Sequence, residues 1–70
     1  MDNTLTYDKF SNTYILKIDK KQFGYISDHI EKFSSLSYAN PRKSALIRVA
    51  EYEEIGVKIE KKIFYPYFSR

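Results

Sequence analysis

The stretch Asn40 to Ile55, NPRKSALIRVAEYEEI, restricts the fold more than any other part of this chain. Asn is a strong helix N-cap, and Pro41 suits the first helical position, where its missing N–H is not required. Leu46, Val49 and Ala50 recur at i, i+3 and i+4, with Ala45 and Ile47 widening the stripe, while Arg48, Glu51, Glu53 and Glu54 fall largely elsewhere. The spacing predicts a helix with one buried face, stopped near Gly56. Arg42 and Lys43 in its first turn have the sign that the helix dipole disfavours, so they and the free backbone N–H groups of the helix start read as a place for a phosphate. The plainer reading of the two basic residues is a solvated helix start.

Upstream, Thr13 to Asp19 (TYILKID) alternates Tyr14, Leu16 and Ile18 with Thr13, Ile15 and Lys17, the two-residue period of a half-buried strand. No second strand follows within hairpin reach. Asp19 instead caps a segment in which Phe23, Ile26, Ile30 and Phe33 are spaced by three and four, which predicts a helix running to Ser34 or Ser35 with Gly24 inside it. Ser34 to Ala39 is the connection between the two helices. Residues 1–12 show no sustained period and read as a flexible N-terminal arm. Residues 56–70 read as an aromatic and basic C-terminal extension, strand-like where Val57, Ile59 and Ile63 alternate with Lys58, Glu60 and Lys62, and edged by Pro66.

With 70 residues the chain makes one domain at most and buries only about 60% of its unfolded surface. Cys 0 removes disulfides and thiolate metal sites, the two commonest supplements to a small core, so oligomerisation is the expected remedy. A hydrophobic fraction of 43% with Tyr 7 and Phe 5 is too rich for a disordered tail. No apolar run approaches the roughly 20 residues of a membrane span, and Met1 to Phe10 lacks the basic and apolar regions of a signal peptide. The expectation is a cytoplasmic protein with no membrane partner.

Residues 1–39 hold five Lys against five acids, and residues 40–70 hold seven Lys or Arg against four acids, so the net charge of +3 comes from the second half. That distribution is compatible with a nucleic-acid partner. His29 is the only histidine, which precludes a multi-histidine metal site within one chain. Glu51, Glu53 and Glu54 form an acidic helix end without His, Cys or Gly-rich partners, the usual form of a solvated surface. No metal, no cofactor and no enzymatic activity are expected. Tyr65, Tyr67 and Phe68 read as packing residues before they read as a stacking platform for bases.

Strand, helix, short turn, helix is an order that resembles the ribbon-helix-helix family of dimeric DNA-binding repressors, the Arc and MetJ type. Ser44-Ala45-Leu46-Ile47-Arg48-Val49-Ala50 is similar to the family's Ser-Glu-x-Ile-Arg-x-Ala pattern, and Tyr14, Leu16 and Ile18 match its alternating strand. The resemblance implies a mainly α fold with one N-terminal strand, spanning residues 13–55, in an intertwined homodimer with a two-stranded intermolecular sheet. It implies that the ribbon enters the major groove of duplex DNA, with Thr13, Ile15 and Lys17 contacting bases and Asn40, Arg42, Lys43 and Ser44 contacting phosphate. The dimer core is then Tyr14, Leu16, Ile18, Phe23, Ile26, Ile30, Leu46, Ile47 and Ala50, and the function is sequence-specific transcriptional repression. The alternative is an α+β domain of order β-α-β-β, in which residues 44–52 and 57–65 are strands. That fold suits a small protein-binding inhibitor or accessory factor, for example a phage-encoded antagonist of a host enzyme, working through an exposed strand edge.

Overall fold

A computed structural model describes residues 3–63. Strands β1 (Thr4–Asp8) and β2 (Thr13–Ile18) come first, then a single 3-10 turn at Lys20–Phe23, strand β3 (His29–Ser34), helix α1 (Pro41–Glu54) and the short strand β4 (Glu60–Lys62). The strands form one sheet in the order β3-β2-β1-β4, antiparallel throughout except where β4 lies parallel to β1.

Alternation along the strands decides which face is covered. Leu5 and Tyr7 of β1 stand beside Leu16 and Tyr14 of β2, and Tyr14 stands in turn beside Phe33 of β3. These residues share one face, which meets Ala45 and Val49, the two buried residues of α1. Leu5, Leu16, Ile18 and Phe33 are sealed from solvent in the middle of this layer, and Val57 and Ile59 close its end on the way into β4. The opposite face, with Thr4, Thr6, Ile15, Lys17, Ile30, Lys32 and Lys62, carries no second layer among the described residues.

The expected mainly α fold is overturned: the molecule is α+β, with a four-stranded mixed sheet and one helix. The helix expected from Asp19 to Ser34 or Ser35 stops after one turn. Asp19 does cap it, accepting from the Lys21 N–H at 3.0 Å, but Gly24 takes the left-handed conformation at φ 97° and ends it. Beyond Gly24 the chain extends. Phe33 and Glu31 then face the helix layer while Ile30 and Lys32 face away, a period of two that lies beneath the apparent three-and-four spacing.

The intermolecular ribbon is overturned with the helix. Strand β2 is central, with β1 on one side and β3 on the other, so both its edges are paired within the chain. Residues 4–8, within the expected flexible arm, form β1, whose Leu5 lies fully buried. The hairpin to β2 is built by Asp8, which accepts from the Phe10 N–H at 3.0 Å and the Ser11 hydroxyl at 2.9 Å, and by Asn12, which tolerates φ 51°. The β-α-β-β order is overturned as well. Residues 44–52 are helical, and the sheet draws two strands from residues 4–8 and 29–34.

Helix α1 itself follows the reading of its cap. The Asn40 side chain accepts from the Lys43 N–H at 3.1 Å, and Pro41 opens the helix. Only the depth of its stripe differs: Leu46 packs partly against the core, whereas Ile47 and Ala50 are exposed. Buried Asn3 ties the far end together. It donates to the Lys58 carbonyl at 3.0 Å and accepts from the Asp19 N–H at 2.8 Å and from the Gln22 amide at 3.1 Å. Pro66 and the tail aromatics Tyr65, Tyr67 and Phe68 lie outside the described residues.

Candidate functional site

Strand β3 pairs with β2 on one side and with no described strand on the other, leaving a six-residue row with a free edge. Unpaired N–H and C=O groups on such an edge seek a partner strand or water. In its middle Ile30 is 56% exposed on the open face of the sheet, between Lys32 and the preceding Asp28. A shallow hollow of about 280 Å³, lined by Lys20, Tyr25, Ser27, Asp28 and His29, opens beside the start of the strand.

The charges along this edge are held from behind. Glu31 Oε2 accepts from Arg48 Nη1 at 2.6 Å, and Arg48 Nε lies 3.0 Å from Glu51 and its guanidinium 5.9 Å from the centre of the Phe33 ring. Desolvation pulls the Arg48 pKa down, but the charge and hydrogen bond of Glu31, with Glu51 behind them, outweigh it and the pKa is raised above the ordinary arginine value. His29 Nε2 stands 3.5 Å from Glu31 Oε1. Asp28 Oδ2 lies 3.6 Å from Lys17 Nζ, and Asp28 Oδ1 4.0 Å from Lys21 Nζ. Asp28 Oδ1 and Glu31 Oε1 are buried and accept no hydrogen bond.

The residues singled out in sequence fall in three places. Thr13, Ile15 and Lys17 alternate outward as their period requires, onto the open face. Thr13 is nevertheless buried, and its hydroxyl donates to the Ser11 carbonyl at 3.0 Å. Asn40, Arg42, Lys43 and Ser44 gather at the start of α1, on the other layer of the molecule. Asn40, Arg42 and Lys43 edge a groove of about 400 Å³ with Leu46, Ile47 and Ala50. Tyr14, Leu16 and Ile18 sit in the core of the single chain; Phe23, Ile26 and Ile30 are exposed. Sequence reasoning misses the β3 edge because Ile30 and Phe33 also fit one helical face. The alternation of Ile30 and Lys32 with Glu31 and Phe33 after Gly24 is a signal for the strand, though not for its free edge.

A larger groove of about 500 Å³ is lined by Phe23, Ile55 and Val57 together with Asn3 and Gln22. Among the described residues no group of three or more His, Asp or Glu side chains is placed to hold a metal ion, and no helix is long and apolar enough to cross a membrane. No family model, no curated protein and no solved structure matches this chain.

Proposed function

We propose that this chain is a small protein-binding module that accepts an extended strand along β3. The observation that carries the reading is the free edge of His29–Ser34 with exposed Ile30 at its centre. In strand addition, main-chain hydrogen bonds supply affinity and alternate side chains supply specificity. Ile30 is the apolar anchor on the open face, and His29 and Glu31 are the polar readers on the helix side. A peptide selected from a random linear library tests this by amide chemical-shift mapping. Shifts centred on His29–Ser34, and lost in Ile30→Lys, are expected. Shifts confined to Thr4, Thr6, Ile15 and Lys62 on the open face overturn it.

A second reading keeps DNA as partner through that open face, and Lys17, Lys32 and Lys62, standing on it together, favour this reading. Each phosphate contact contributes about −0.9 to the slope of log affinity against log salt, so three give about −2.7. A flat salt titration with duplex DNA removes this reading and leaves the first untouched.

A further inference from the structure

We propose that the strand added to β3 is β3 of a second copy of this chain, antiparallel, on a two-fold axis through Ile30. The inference rests on the reading of β3 as the docking edge and names its occupant. Two antiparallel edges related by a two-fold axis share one sheet only if the axis is normal to it. Residues facing each other across the axis then lie on the same face, so the axis passes at the level of a residue and not between two.

Few centres are available, and charge separates them. Centring on Glu31 sets two carboxylates side by side, and centring on Lys32 sets two ammonium groups together. Phe33 is buried, and the strand ends one residue beyond it. Centring on His29 places exposed Ile30 against Asp28. Centring on Ile30 places Ile30 beside its own copy on the open face. It also sets His29 opposite Glu31 of the second copy on the helix side, and Asp28 opposite Lys32 of the second copy on the open face. The segment Asp28-His29-Ile30-Glu31-Lys32 is therefore complementary to itself when reversed.

Asp28 and Glu31, the two acids that this register brings against a basic residue of the second copy, are already engaged within the chain, Asp28 with Lys17 at 3.6 Å and Glu31 with Arg48 at 2.6 Å, so the added contacts extend existing charge networks. His29 offers an N–H in either charge state. The product is an eight-stranded sheet with both helices on one face, in which the outermost strands are the short β4 strands.

The chain has Cys 0, so single introduced cysteines report the register without background. Opposed Cα atoms in an antiparallel pair lie about 4.5–5.5 Å apart, within the roughly 4.4–6.8 Å that a disulfide spans. Ile30→Cys is expected to cross-link to itself under mild oxidation on the order of a hundredfold faster than Ile26→Cys, an exposed residue off the strand, because pairing replaces collision with a high effective concentration. Lys32→Cys is expected to cross-link with Asp28→Cys in a mixture but not with itself. Sedimentation of the unmodified chain is expected to give twice the mass of 8.4 kDa. Equal rates for Ile30→Cys and Ile26→Cys, or a monomer mass at high concentration, overturn the inference. If selected peptides still map to β3 in that event, the edge reading stands without it; if they do not, both fall.

Discussion

Arg48 Nη1 donates to Glu31 Oε2 at 2.6 Å and so fastens α1 to β3, an edge strand of the sheet. The same guanidinium rests 5.9 Å from the centre of the Phe33 ring and reaches Glu51 at 3.0 Å, so one side chain of α1 holds a face of β3 while its edge stays open. Glu31→Ala is expected to destabilise the fold by about 1–2 kcal/mol, a charge-assisted bond discounted for the half-exposed position of Arg48. Urea unfolding measures it, and in a double-mutant cycle with Arg48→Met the two losses should not add.

The sign of the Arg48 shift sets a pH expectation. Its folded pKa is raised above the unfolded value, so its contribution is fully present below the ordinary arginine range and is lost only as pH climbs through a still higher folded value. The difference in urea midpoint between the unmodified chain and Arg48→Met should therefore stay constant from about pH 7 to about pH 10. A difference that vanishes within that window would mean that the ion pair does not hold α1 to β3.

The two apolar sets separate under truncation. Leu16 is sealed beneath α1, and Leu16→Ala should cost about 2–5 kcal/mol, enough to unfold most of so small a domain. Ile26 is 96% exposed, and Ile26→Ala should fall within about 0.5 kcal/mol of the unmodified chain. Thermal melts of the pair distinguish this fold from one in which both residues share a core.

Asn3 is the polar counterpart. Asn3→Ala strips the Asp19 N–H and the Lys58 carbonyl of their partner at once, and a loss of about 1–3 kcal/mol is expected by urea unfolding. Gln22 loses its acceptor on Asn3 in the same variant and keeps its bond to the Asp19 carbonyl at 2.7 Å.

Legibility in the sequence followed how local the deciding physics was. The cap of α1 and the inward set of β2 depend on neighbours in the chain, and Asn40, Tyr14, Leu16 and Ile18 were readable for that reason. Phe23, Ile26, Ile30 and Phe33 satisfied a helical period that Gly24 broke, and only pairing with β2 chose the strand. Thr4–Asp8 is short and polar, with Leu5 and Tyr7 as its inward residues, so its place depends on the hairpin turn that Asp8 and Asn12 build. The β3 edge belongs to no local pattern: an edge exists only once the strand order is known.

Hydrogen exchange of the β3 amides reads that edge most directly. In a strand paired on one side, every second N–H points away from the sheet and exchanges freely; a docked strand protects the outward set too. At high chain concentration, protection at consecutive amides from His29 to Lys32 is expected, reverting to alternate protection on dilution. Alternate protection at every concentration, with the outward amides exchanging as fast as that of Ser35 in the turn beyond, would contradict the account.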